Sequence, residues 1–225
     1  MAELQLREKE IFETLKKISK LDFVVIGGYA VNAYTLPRFS VDCDIAVKDD
    51  DGLEKIKNEL GKLGYKEAKA DEELPYSGNF KRFEKEIKPD FSVSFDILTK
   101  EVSDRQTNSK FSAGWIFENS QLRNLRGKTI NEELKLRIIN PEALFVMKML
   151  SCRKTDIRDI FLLITEIKNK IWVKEEINMR FSFKDRLEKV KKEITSKQFI
   201  DGLQGVFGII DSKIFERNAK LILNL

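Results

Sequence analysis

The stretch GGYAVNAYTLPRFSVDCDIAV, Gly27 to Val47, sets two glycines directly after the apolar run Phe23 to Ile26, then places Asp42 and Asp44 between Val41, Cys43 and Ile45. The alternation from Val41 to Val47 predicts a strand. In a strand, residues i and i+2 point the same way with Cα atoms roughly 6.6 Å apart, so the two carboxylates stand side by side on one face. Like charges this close repel, and they are stable together only with something positive between them. Phe91 to Leu98 (FSVSFDIL) alternates as well, and its strand, laid beside Val41 to Val47, would bring Asp96 as a third carboxylate. Three carboxylates in a chain with no histidine suit Mg²⁺ or Mn²⁺, hard ions that take oxygen ligands and keep positions open for phosphate oxygens and water. A pair of such ions about 3.5 to 4 Å apart is the usual arrangement for phosphoryl or nucleotidyl transfer. A turn at Gly27 and Gly28 lets backbone approach a triphosphate, while Arg38 and Ser40 add a cation and a hydroxyl on the way into the Asp strand.

Outward from this stretch, apolar residues at helical spacing predict a helix over residues 3 to 20, and Phe23 to Ile26 a short buried strand. Tyr29 to Tyr34 reads as a short helix after the glycines. Asp49, Asp50 and Asp51 open a helix to about Leu63, followed by strands near Tyr65 and from Phe80 to Glu84, with EELPYSGN (72–79) as a loop between them. A strand is expected at Trp115 to Phe117 and another at Leu136 to Ile139. Asn140-Pro141-Glu142 begins a helix to Cys152, and Asp156 one through Lys168. The remainder reads as helical, broken near Gly202, Gly205 and Gly208. The expected fold class is α+β: a mixed sheet with flanking helices over 1–135, then a helical domain over 136–225.

Composition narrows the chemistry. With 42% hydrophobic and 35% charged residues in 225, the chain has a globular composition and material for a large core. No apolar run approaches the roughly 20 residues that span a bilayer, and the charged N-terminal segment lacks the pattern of a secretory signal, so a cytoplasmic location is expected. The absence of histidine excludes Ser-His-Asp and Cys-His nucleophile systems. Two scattered cysteines, Cys43 and Cys152, read as small buried hydrophobes. The net charge of +4 resides from Glu166 onward, where 13 Lys and Arg face 9 Asp and Glu, too mild an excess to announce a nucleic-acid binder. Neither G-x-G-x-x-G nor G-x-x-x-x-G-K-[ST] occurs.

The motifs GGYA, RFSVDCD, FDIL and KMLSCRKTDIRDIFLL together resemble the DNA-polymerase-β-like nucleotidyltransferase superfamily, and within it the AbiEii-type branch of abortive-infection toxin–antitoxin systems. The resemblance covers about residues 23 to 165. It implies that Gly27 and Gly28 hold the triphosphate, that Asp42 and Asp44 bind both metals, and that Asp96 binds one metal and acts as base. It further implies that Lys148 contacts nucleotide phosphates while Arg158 and Asp159 line the acceptor side. The implied reaction moves a nucleoside monophosphate from a nucleoside triphosphate to a hydroxyl of RNA, notably a tRNA 3′ end, or of protein, with a small molecule such as an aminoglycoside behind them. An antitoxin partner is implied too. The alternatives are a catalytically silent module of the same fold, or an RNA-binding regulatory protein using its basic helical half.

Overall fold

The protein is described by a computed structural model over residues 2–68, 79–104, 106–208 and 211–225. The expected loop 72–79 lies, apart from Asn79, outside them. The described residues fall into two compact units, those within 1–33, 39–102 and 111–139 making the first and those within 34–38, 103–110 and 140–225 the second.

In the first unit, α1 (Ala2–Ile18) precedes β1 (Val24–Val25), α2 (Gly27–Asn32) and β2 (Asp42–Val47). Next come α3 (Asp50–Lys62), β3 (Lys66–Glu67), β4 (Phe80–Lys88) and β5 (Phe91–Thr99). The short strands β6 (Glu101–Ser103) and β7 (Lys110–Ser112) lead to α4 (Ala113–Glu118), β8 (Ser120–Leu125) and β9 (Leu134–Ile139). A seven-stranded mixed sheet runs β3-β4-β5-β2-β1-β9-β8, with β2 parallel to β5 and antiparallel to β1. Cys43, Ile45, Val93, Phe95 and Ile97 are fully buried, the apolar alternation that fixes the register of β2 on β5. Helices α1 and α3 pack on this sheet through Ile11, Leu15, Ile56 and Leu60, all fully buried. Asp49 caps α3 as its spacing suggests, its carboxylate accepting the Gly52 N–H at 2.9 Å. The buried carboxylate of Glu8 on α1 accepts the N–H groups of Lys128 and Thr129 and the Thr129 hydroxyl, pinning the loop between β8 and β9.

Three features of the first unit depart from what the sequence suggests. Residues 115–117 lie in α4, not in a strand: the Ser112 hydroxyl accepts the Trp115 N–H at 3.1 Å, and this cap outweighs the β-preference of the aromatic residues. Strand β8 was not expected at all, because SQLRNL at the sheet edge is exposed along most of its length and carries no alternation. Residues 136–139, taken with the helical domain, belong to the sheet as part of β9.

The second unit contains α5 (Pro141–Ser151), α6 (Lys154–Leu163) with a 3₁₀ turn at Ile164–Glu166, α7 (Lys170–Asn178), α8 (Phe183–Ile194), α9 (Lys197–Phe207) and α10 (Ser212–Leu223). Asn140 caps α5 by accepting the Ala143 N–H, with Pro141 in the first turn. The helix expected through Lys168 ends at Leu163, and the expected break at Gly202 and Gly205 does not occur. Both glycines sit inside α9, which stops at Gly208 with φ +81. Helices α5, α6 and α8 pack against one another, and Phe145, Met149, Ile157, Phe161 and Val190 on them are buried. No helix among the described residues is long and apolar enough to cross a membrane.

Candidate active site

The parallel pairing of β2 and β5 aligns Asp44 with Asp96 and Asp42 with Ser94, while the antiparallel pairing of β4 and β5 aligns Arg82 with Asp96. Residues in register on neighbouring strands share a face, so Asp42, Asp44, Asp96 and Arg82 all project from the same side of the sheet. Cys43, on the opposite side, is fully buried. Burial first, then the neighbouring carboxylates, pushes its thiol well up.

The positive charge that the facing aspartates require is Arg82. Its Nε donates to Asp96 Oδ1 at 2.8 Å, and its Nη2 to Asp96 Oδ2 at 2.7 Å and to Asp42 Oδ2 at 3.5 Å. This is a two-pronged guanidinium–carboxylate pair, the strongest geometry available to such a pair. Asp96 is only 4% exposed, and burial raises its carboxyl above the ordinary range despite the pull of Arg82. Sequence reading missed Arg82, although the alternation of FKRFE already sets Phe80, Arg82 and Glu84 on one face of a strand.

Gly27 explains how Asp44 is accommodated. The glycines form no turn ahead of the helix: they are the first two residues of α2, Gly28 is buried, and Gly27 takes φ +63. A Cβ at Gly27 would lie 1.9 Å from Asp44 Oδ2 and 2.7 Å from its Cγ, so the carboxylate rests directly against the backbone there. The Ile26 N–H donates to the Asp44 carbonyl at 3.0 Å, tying the start of α2 to β2. Gly27→Ala is therefore expected to cost about 2 kcal/mol in strained backbone and to displace the Asp44 carboxylate. Thermal melting with a Mn²⁺ titration checks both effects. Ser40, half-buried, stands two residues before β2.

The other candidate residues fall in the second unit. Arg38 forks onto Asp159, Nε to Oδ1 and Nη2 to Oδ2, both at 2.8 Å. Lys148 on α5 joins Asp159 at 2.9 Å and Asp156 at 2.8 Å, both on α6. The two cations expected to meet phosphate are thus engaged with buried aspartates. Asp156, which sequence reading did not single out, also accepts the Arg153 N–H at 3.1 Å; the i, i+3 spacing of Asp156 and Asp159 was its signal. Arg158 is half-buried and, about 100° round the helix from Asp159, faces elsewhere.

Burial alone would raise Asp159, but Lys148 and Arg38 outweigh it and hold the carboxyl below 3.8. Burial would likewise lower Lys148, but Asp159 and Asp156 hold its ammonium above 10.5. A depressed acid contributes stability above its unfolded value and loses it as pH falls through the folded one. A raised base contributes below its unfolded value and loses it as pH rises through the folded one. The ion pair therefore supports the fold on a plateau between these limits, with losses below 3.8 and above 10.5. Melting temperature against pH measures the plateau, and Asp159→Asn should flatten its acid limb.

Three carboxylates on one sheet face, without histidine, form a donor set suited to a hard divalent cation. With Arg82 between Asp96 and Asp42, no group of three or more acidic, cysteine or histidine side chains among the described residues is arranged to hold a metal as it stands. The donor chemistry fits, and Arg82 holds the place of the charge.

No protein-family model matches the sequence, and no curated protein matches it. Among solved structures, the chain resembles a presumed nucleotidyltransferase from H. pylori, with a TM-score of 0.51 and 16% identity over 98% of this chain and 94% of that one. It also resembles the antibiotic-resistance factor ANT(2″)-Ia in its solution structure, with a TM-score of 0.50 and 15% identity over 84% of this chain and 96% of that one. At these identities the likeness is one of fold, and the chain has the mixed-sheet fold of nucleotidyltransferases.

Proposed function

We propose that the protein is a metal-dependent nucleotidyltransferase that moves a nucleoside monophosphate from a nucleoside triphosphate, ATP among the candidates, to an acceptor hydroxyl on RNA, including tRNA, or on protein. The observation that carries the reading is the convergence of Asp42, Asp44 and Asp96 on one face of β2 and β5, with Asp44 seated against Gly27. Mg²⁺ or Mn²⁺ held by these carboxylates would supply Lewis-acid stabilisation of charge on the transferring phosphoryl group. Asp96, raised by burial, takes the acceptor proton on a carboxylate oxygen, since a base works best when its pKa moves toward the working pH. Gly27 presents backbone to the triphosphate without a side chain in the way, Gly28 continues that first turn, and Ser40 adds a hydroxyl. Arg38 and Lys148 act within the second unit by fixing Asp159 and the α5–α6 pair. The AbiEii-like motif order supports a toxin–antitoxin setting in the cytoplasm, with an antitoxin as partner.

The test is incorporation of each of the four α-labelled nucleoside triphosphates, with Mg²⁺ or Mn²⁺, into RNA, protein and aminoglycoside fractions by the wild type and by Asp42→Ala. The reading expects one acceptor class labelled by the wild type alone. Equal labelling by both proteins, or none from any nucleotide, overturns it. One observation favours the silent-module alternative: the Arg82 fork gives Asp96 a counter-charge from the chain itself. The same comparison separates the two readings.

A further inference from the structure

Arg82 does more than balance charge. Its fork takes both oxygens of Asp96 and reaches Asp42, so the oxygens through which these aspartates would grip a cation are already shared with one. A guanidinium does not give up its proton under any ordinary condition, so it can yield these oxygens only by moving away. The route is open: the Arg82 side chain is 32% exposed and that of Asp42 34%, whereas that of Asp96 is 6% exposed. Solvent thus reaches both the guanidinium and Asp42, and a released Arg82 has water to turn into. Without a counter-charge, the facing aspartates would repel one another in the metal-free chain.

We infer that Arg82 is a built-in competitor for the divalent cation, occupying Asp96 and Asp42 in the metal-free protein and swinging out when the ion binds, so that its release sets the affinity of the site. The inference rests on the reading of Asp42, Asp44 and Asp96 as the metal-binding residues. When only the fraction of molecules with Arg82 displaced can bind, the apparent affinity falls by that fraction, and removing the competitor restores it. The ion supplies to Asp96 and Asp42 the counter-charge that Arg82 withdraws.

The experiment is a Mn²⁺ titration of the full chain at about pH 8, where the carboxylates are ionised, followed by the electron paramagnetic resonance signal of free Mn²⁺. Arg82→Gln is expected to bind Mn²⁺ about tenfold or more tightly than the wild type, a change of about 1.4 kcal/mol or more. Arg82→Lys, which keeps the charge but loses the fork, should fall between the two. The metal-free Gln variant should melt lower than the wild type and gain more from saturating Mn²⁺. Should the Gln variant not fold, the Lys variant carries the test, tighter binding than the wild type being the supporting result. Binding by the wild type with equal or weaker binding by the variants overturns the competitor role while leaving the metal reading in place. No Mn²⁺ bound by any of the three, or binding unchanged by Asp96→Asn, overturns both.

Discussion

Asp96→Asn is expected to lower nucleotidyl transfer by about 10²- to 10⁴-fold, the range associated with loss of a general base, while moving the melting temperature by only a few degrees. The two effects separate for a physical reason. Asp96 is buried and its carboxyl is raised, so ionising it already costs the fold something, and a neutral amide of the same shape removes that cost. The same change takes from Arg82 its two-pronged partner, but a guanidinium that is one-third exposed can turn to water or toward Asp42. Initial rates with labelled nucleotide and a melting curve on the same preparation measure both. A large loss of stability would make Asp96 a structural residue first. An unchanged rate would remove it from the chemistry.

Asp159→Asn carries the largest expected effect on stability, in the opposite balance. Asp159 is fully buried and is the common acceptor of Arg38 and Lys148, whose side chains are 14% and 12% exposed. Its replacement leaves two cations with little access to water and one fewer counter-charge, a loss of about 3 to 5 kcal/mol. In a chain of this size that lowers the melting temperature by about 10 °C or more. The double change Lys148→Met with Asp159→Leu removes the charges together and should cost much less than the sum of the single changes, because the penalty lies in the unpaired charge and not in the missing contact. A melting temperature for Asp159→Asn within about 2 °C of the wild type would show that the cluster contributes little to the second unit.

The parts of this molecule that sequence made readable are those where one local signal was strong. Strands β2 and β5 announce themselves by alternation, and that pattern also predicts that Asp42, Asp44 and Asp96 share a face, as their register places them. Helices α3 and α5 were marked by Asp49 and by Asn140-Pro141, and both caps are made as expected. What stayed hidden depends on neighbours distant in sequence. Arg82 meets Asp96 only because β4 pairs with β5 in one register out of several, and nothing in FKRFEKEIK selects it. Arg38 reads naturally as a phosphate-seeking cation, yet its fork is taken by Asp159, 121 residues away. Strand β8, polar and at the sheet edge, has no pattern to read, since only a half-buried strand imposes one. Gly27 was recognised as necessary for the wrong immediate reason. Its freedom serves less to make a turn than to let the Asp44 carboxylate approach the backbone of α2, a contact that only the fold discloses.

The most direct measurement is the anomalous scattering of Mn²⁺ in crystals grown with a non-hydrolysable nucleoside triphosphate. The account predicts manganese within about 2.2 Å of carboxylate oxygens of Asp42, Asp44 and Asp96, the triphosphate against the backbone at Gly27, and the Arg82 guanidinium withdrawn from Asp96. Manganese bound elsewhere, or a nucleotide-loaded protein in which Arg82 still clasps Asp96 with no ion between the aspartates, would contradict it.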